Sequence, residues 1–205
     1  MENRANHCGI VVLAGGQSSR LGRPKQLLPY KESTLIKHAA EVALQAEMGP
    51  VVVVTGANAD VIGKALEGLP VKIVVNSGWE EGMASSLRMG LHALVESFPQ
   101  TDGILFMVCD QPFVTKSLLR CLLQVQQDTG KAITACGYQG KMGTPALFHR
   151  SFFEKLMELE GDKGARLLIA AFPDEVAEVP FAAGAIDIDT REDYEKLRNG
   201  LNEVI

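Results

Sequence analysis

Apolar, β-branched runs alternate with segments of helical period along almost the whole chain, and this alternation restricts the available folds more than any other feature. Gly9–Leu13, Val51–Thr55, Val71–Val75, Ile104–Val108, Ala132–Cys136 and Val176–Val179 read as strands, with Ala185–Ile188 a further candidate. Thr34–Glu47, Asp60–Glu67, Ala84–Glu96, Lys116–Asp128, Phe152–Glu158, Ala165–Ala171 and Arg191–Asn199 read as helices. Ser33 or Thr34 is placed to cap the first helix, Thr115 the fourth, and Thr190 the last, with Asp193 three residues on in a capping box. Strands of unbroken Val, Ile and Leu are buried on both faces, as in a mostly parallel sheet covered by helices. The expected fold is therefore α/β, a single three-layer α/β/α domain over residues 1–205. A chain of 205 residues, 46% of them hydrophobic, is long enough for one sizeable core. In such sheets ligands collect at the carboxyl ends of the strands.

The first of those strand ends carries the strongest chemical signal. After Leu13 come Ala14, Gly15, Gly16, Gln17, Ser18, Ser19, Arg20, Leu21, Gly22, Arg23, Pro24 and Lys25. Glycines allow close backbone approach to a ligand, and successive free N–H groups form an anion-binding nest. From Val11 to Lys31 there is no acid, yet Arg20, Arg23, Lys25 and Lys31 are all present. In a chain of net charge -5, four cations without a counter-charge point to a polyanionic ligand. A Gly pair alone would indicate only a strand-to-helix turn with solvated cations. The loop lacks both G-x-x-x-x-G-K-[ST] and G-x-G-x-x-G, which argues against P-loop hydrolases and dinucleotide-binding folds.

Other classes are disfavoured by what the chain does not contain. No basic stripe interleaved with aromatics suggests nucleic acid. The runs Val51–Val54 and Ile104–Val108 are too short to span a bilayer, and Met1–Arg4 leads into a strand without an apolar leader, so a cytoplasmic location is expected. Cys8, Cys109, Cys121 and Cys136 are scattered, without zinc-ligand spacing, and Cys109 and Cys136 are expected in the core. His38 and His92 read as ordinary helix positions. Asp110 stands out: it follows a buried strand, and Pro112 discourages continuation of the ladder. Mg²⁺ takes one or two carboxylates together with substrate phosphates and waters, which makes Asp110 the first candidate ligand.

The loop Leu13–Lys25 resembles the nucleotidyltransferase signature L-A-G-G-x-S-x-R-x-G-x-P-K. Later segments resemble the molybdenum cofactor cytidylyltransferase branch, related to molybdopterin-guanine dinucleotide synthases. They are Asn76–Leu87, Cys109-Asp110-Gln111-Pro112, Gly143–Phe148, Gly161-Asp162-Lys163-Gly164-Ala165-Arg166 and Asp187-Ile188-Asp189-Thr190. The resemblance implies a Rossmann-like nucleotide-diphospho-sugar transferase fold. It also implies that Leu13, Ala14, Gly15, Gly16, Ser18 and Lys25 bind the nucleotide, with Gly82, Ser86 and Asp110. Ser86 would contact the base, or alternatively serve as a helix cap, while Asn76 and Trp79 shape the same wall. Met83, Leu87, Leu91 and Leu94 follow helical spacing and are expected to face the core. Asp187 and Asp189 flank Ile188 on one face of an extended segment. The resemblance makes them partners of Asp110 in the metal site, Asp187 as ligand and Asp189 as ligand or support. Thr144-Pro145 and the loop Gly161–Arg166 would form the side of the cleft that receives the acceptor, with Gly143, Thr144, Pro145 and Arg166 binding it.

By the same resemblance, CMP would pass from CTP to the phosphate of a molybdopterin-type acceptor with release of pyrophosphate. Arg20, Lys25 and Asp110 would be the catalytic residues and Mg²⁺ the cofactor. An ionised phosphate needs no general base, so positioning and charge neutralisation would carry the catalysis. Cytidylyl members read L-A-A-G at the first loop and guanylyl relatives L-A-G-G, as here, so GTP stays open as donor. Also open are another phosphorylated acceptor and a nucleotide-binding carrier or regulator without catalysis. Transient docking to a molybdoenzyme or its chaperone would deliver the product.

Overall fold

The computed structural model describes residues 7–162 and 164–202; Met1–Arg4 and Lys163, named above, lie outside the described residues. In chain order the strands are β1 (Cys8–Ala14), β2 (Pro29–Tyr30), β3 (Ser33–Thr34), β4 (Val51–Thr55), β5 (Lys72–Val75), β6 (Gly103–Val108), β7 (Ile133–Tyr138), β8 (Lys141–His149) and β9 (Val176–Pro180). The helices are α1 (Leu35–Gln45), α2 (Ala59–Ala65), α3 (Met83–Ser97), α4 (Lys116–Thr129), α5 (Phe153–Met157), α6 (Arg166–Ala171) and α7 (Arg191–Asn202). Seven strands form one sheet in the order β5-β4-β1-β6-β8-β7-β9. All neighbours are parallel except β8, which runs antiparallel to both β6 and β7.

Alternation along β1 explains the three layers. Ile10 and Val12 face a core closed by Ile36 and Ala40 of α1, Ile62 of α2 and Leu119 and Leu122 of α4. Val11 and Leu13 face the opposite core, closed by Leu87, Leu91 and Leu94 of α3, Leu156 of α5 and Ile169 of α6. Both faces of β1 are therefore dry, which is why the strand is a continuous apolar run. Cys8, Cys109 and Cys136 are buried in this interior, where burial pushes their thiols up to about 12.

A third cluster holds the C-terminal helix against the small β2–β3 hairpin, joining Leu28, Tyr30 and Leu35 to Ile188, Tyr194 and Leu197. Tyr194 adds a hydroxyl bond to the Pro29 carbonyl at 2.8 Å. The capping box at the start of α7 is present. Thr190 donates its N–H to Asp193 Oδ2 at 2.8 Å, and Asp193 N–H donates to Thr190 Oγ1 at 3.2 Å. The Thr190 hydrogen bonds hold the Asp193 carboxyl below its ordinary value. A depressed folded-state value means stabilisation present above the ordinary pKa and lost as pH falls through the folded one. Asp193→Ala should therefore lower stability at pH 7 by about 0.5 to 1 kcal/mol. In urea unfolding the gap to the parent should close as pH drops below about 4; a gap independent of pH would exclude the carboxylate as its source.

Thr34 and Thr115 cap α1 and α4, accepting from Lys37 N and Leu118 N at 3.4 and 3.2 Å. Two expectations fail, and one strand was not expected. Ala185–Ile188 is not a strand: Ala182–Ala185 is a short 3₁₀ turn, and Ile188 N–H makes a single bond to the Asp110 carbonyl at 3.0 Å. The Gly143–Phe148 segment, not among the strands expected from sequence, is the body of β8. Met83 does not face the core; as the first residue of α3 it is 43% exposed.

Candidate active site

At the carboxyl ends of β1 and β6 the chain leaves two adjoining cavities. The first, about 380 Å³, is lined by Leu13–Gly16, Lys25, Gln26, Trp79, Gly82, Met83, Ser86 and Asp110, among others. The second, about 290 Å³, takes in Thr144, Arg166, Asp187 and Asp189. Lys25 and Asp110 belong to both. Of the site residues expected from sequence, Ala14, Gly15, Gly16, Trp79, Gly82 and Ser86 line the first cavity, Thr144, Arg166, Asp187 and Asp189 the second, and Leu13, Lys25 and Asp110 both.

The first loop is braced from beneath by Gln26, a side chain only 1% exposed. Its amide nitrogen donates to the carbonyls of Ala14 and Gly16 at 3.0 and 2.9 Å. Ser18 adopts a left-handed conformation (φ 60°), accepts from Lys25 N–H at 3.0 Å, and donates to Gln26 Oε1 at 3.3 Å. Its hydroxyl is therefore engaged in shaping the loop and lies outside both cavity linings. Gln26 went unread in the sequence because nothing separates it from any polar residue after a lysine.

The four cations part company. Lys25 Nζ bonds Asp110 Oδ2 and, at 2.7 Å, Asp189 Oδ1. Arg20 Nη2 reaches Asp189 Oδ2 at 2.8 Å from an exposed position. Arg23 and Lys31 lie instead over the rings of Tyr194 and Tyr30, 5.7 and 5.2 Å from the centroids. Burial would depress the Lys25 ammonium, but the Asp110 charge and hydrogen bonds to Asp110 and Asp189 lift it above the ordinary lysine range. Burial likewise pushes Asp189 up, and Lys25 and Arg20 outweigh it, leaving the carboxyl below its usual value. Asp187 behaves oppositely: burial first, then the charges of Asp189 and Asp110, raise it. Both oxygens of Asp189 are held by cations, whereas among the described residues no cation forms an ion pair with Asp187. No group of three or more His, Cys, Asp and Glu side chains among the described residues is arranged to hold a metal unaided.

The wall opposite the loop is a polar network set into the start of α3. Asn76 Nδ2 donates to Ser85 Oγ at 2.8 Å and Ser86 Oγ at 3.1 Å, and Ser85 donates to the Gly82 carbonyl at 2.8 Å. Gly82 occupies the N-cap position with no side-chain cap, so Ser86 lies within the helix rather than capping it. A Cβ on Gly15 would lie 3.0 Å from Ser86 Oγ, so the glycine keeps this end of the cavity open. In the second cavity Arg166 is held by the Tyr138 hydroxyl at 3.1 Å and packs across Gly143, where a Cβ would meet Arg166 Nε at 3.0 Å. Gly143 and Pro145 thus stand behind the lining. Gln111 and Asp162 also face this region without having been singled out. No helix among the described residues is long and apolar enough to cross a membrane.

The family model of the MobA-like NTP transferase domain matches residues 10–177. The nicotine blue oxidoreductase of Paenarthrobacter nicotinovorans is 32% identical, over 91% of this chain and 94% of its own. A probable molybdenum cofactor guanylyltransferase of Bacillus mycoides is 26% identical, over 95% of this chain and 98% of its own. Among solved structures, Rv0371c of Mycobacterium tuberculosis is 35% identical with a TM-score of 0.81, covering 94% of this chain and 97% of that one. Its complex with manganese aligns at 32% identity and a TM-score of 0.77, over 93% and 97% of the two chains. With the parallel sheet and the glycine loop at its first strand end, the chain belongs to the MobA-like NTP transferase family, a family of nucleotidyltransferase enzymes.

Proposed function

We propose that this chain transfers a nucleoside monophosphate from a nucleoside triphosphate to the phosphate of a molybdopterin-type acceptor. The observation that carries the reading is the meeting of two cavities on one pair, Lys25 and Asp110. A donor in the first cavity and an acceptor in the second would bring their reacting phosphates together there. An acceptor phosphate oxygen attacks the α-phosphorus, the bond from α-phosphorus to the bridging oxygen breaks, and pyrophosphate leaves with that oxygen. Backbone N–H groups of the braced loop take the phosphates, and Lys25 neutralises charge as it moves to the leaving group. Arg166, steadied by Tyr138, holds the acceptor's anionic end.

The donor set suits Mg²⁺, because carboxylates converge on the cavities and substrate phosphates complete the shell of a hard cation. Asp110 and Asp187 would hold it, since the oxygens of Asp189 already serve Lys25 and Arg20. When bound, the ion supplies charge neutralisation to the phosphates. The manganese complex of Rv0371c supports a divalent ion in a related chain.

GTP is the donor we favour, on the space left by Gly15 and on the Bacillus relative named as a guanylyltransferase. CTP is the second reading, carried by the cytidylyl-like segment Asn76–Leu87. Pyrophosphate release with a molybdopterin-type acceptor, Mg²⁺ and either nucleotide separates them. The expected result is a kcat/KM for GTP about tenfold above that for CTP, with Gly15→Ala reducing the GTP reaction more. A reversed preference moves the donor to CTP, and no release with either nucleotide overturns transfer itself.

A further inference from the structure

Six residues line both cavities: Leu13, Lys25, Met83, Val108, Asp110 and Asp162. Three are charged, and two of those, Lys25 and Asp110, are bonded to each other. Asp162 is the remaining one. It is exposed, and among the described residues neither an ion pair nor a side-chain hydrogen bond engages its carboxylate.

The loop that carries it is fastened to α3. Ala84 N–H donates to the Gly161 carbonyl at 3.0 Å, fastening the loop to the first turn of α3. Arg88 grips the same segment by donating to the Leu159 carbonyl, while its other nitrogen takes Glu81 at 2.7 and 2.8 Å. Gly82 lies directly against the loop: a Cβ there would fall 2.4 Å from Asp162 Oδ1 and 2.7 Å from the Gly161 carbonyl oxygen. The backbone of Gly82, at φ 117°, adds a second reason for glycine at that point. Asp162 thus lies against Gly82 of the base wall and, like Lys25 and Asp110, lines both cavities.

A carboxylate repels phosphate, so its place beside a polyphosphate track calls for a donor on the ligand. In a nucleotide the group between base and α-phosphate is the sugar, and the vicinal hydroxyls of ribose are paired donors matched to two carboxylate oxygens. Acidic side chains read ribose hydroxyls in the same way in dinucleotide-binding folds. We infer that Asp162 accepts from the ribose hydroxyls of the donor nucleotide and selects ribonucleotides over 2′-deoxyribonucleotides. The inference rests on the nucleotide-donor reading above.

Calorimetric titration tests it without any acceptor, using GTP and 2′-deoxy-GTP, then CTP and 2′-deoxy-CTP, each with Mg²⁺. The unmodified chain should bind the ribonucleotide about tenfold more tightly, the scale of one charge-assisted hydrogen bond. Asp162→Ala should bring the ratio near one, mainly through lost ribonucleotide affinity, with an unchanged unfolding midpoint because the side chain is exposed. Asp162→Asn retains an acceptor oxygen and should keep part of the preference. A ratio that is the same in the parent and in Asp162→Ala overturns the inference, including where Mg²⁺ affinity alone shifts. Binding of neither nucleotide by the parent chain would instead remove the donor reading on which it stands.

Discussion

Lys25→Ala is expected to lower the turnover of nucleotidyl transfer by about 10³-fold, the scale seen when one group stabilising transition-state charge is removed. The side chain is only 16% exposed and lies between Asp110 and Asp189. Removing it deletes the one cation that, among the described residues, lines both cavities, and leaves Asp110, Asp187 and Asp189 in the second cavity with Arg166 on its far side and the exposed Arg20 on Asp189. An incoming triphosphate then meets the unneutralised carboxylate of Asp110 where it previously met an ammonium held protonated above the ordinary lysine range. Stability should fall as well, since breaking a partly buried ion pair strands its partner charge. Lys25→Met separates the two effects because it keeps most of the packing volume. Both variants should lose turnover while remaining folded by circular dichroism. Turnover within tenfold of the parent in either would remove Lys25 from the chemistry.

The second large effect concerns the frame. Gly49 ends the turn between α1 and β4 at φ 147°, and a Cβ there would lie 1.9 Å from the Cys8 carbonyl oxygen and 3.1 Å from its carbon. The obstacle is backbone at the start of β1, so no side chain can turn aside to relieve it. The next contact, Ile10 N–H to the Pro50 carbonyl at 2.9 Å, begins the β1–β4 ladder that pairs Ile10 with Val51. Any shift at Gly49 is therefore passed to β1, which carries the phosphate loop, and to β4 beside it. Gly49→Ala should cost about 3 kcal/mol or more in urea unfolding, combining backbone strain with overpacking. Gly63, in α2, is the contrasting case, because a Cβ added there would meet nothing within 4 Å. Gly63→Ala should be neutral or stabilising by up to about 1 kcal/mol. A Gly49→Ala variant within about 0.5 kcal/mol of the parent would show that the turn accommodates a side chain after all.

Much of this molecule is legible residue by residue. The helices appear where their period places them, and at α1, α4 and α7 the cap is legible too, because a hydroxyl three residues before a free N–H is a local matter. Thr34, Thr115 and Thr190 each show it. β1, β4 and β6 are equally visible, since burial on both faces leaves an unbroken apolar run. β8 was hidden for a physical reason. Cys136 pairs with Gly143 while Ala135 pairs with Ala146, so Thr144 and Pro145 sit in an irregularity of the ladder. Proline within an apolar run argues against a strand, yet a bulge is where a sheet tolerates a missing N–H donor.

The amino-acid sequence by itself determined the three-layer architecture, the glycine loop at its first strand end and the set of charged residues from which a site could be built. Only the tertiary structure decided how those charges divide. The loop Val11–Lys31 holds no acid, and its apparent excess of cations dissolves once the chain folds. Asp110 and Asp189 come back to Lys25 from 85 and 164 positions away, and Asp189 also meets Arg20. Arg23 and Lys31 turn onto tyrosine rings instead. Caps, periods and glycine turns depend on neighbours within a few residues. Charge pairing between strand ends depends on which strands lie side by side, and that is settled by the packing of both cores at once.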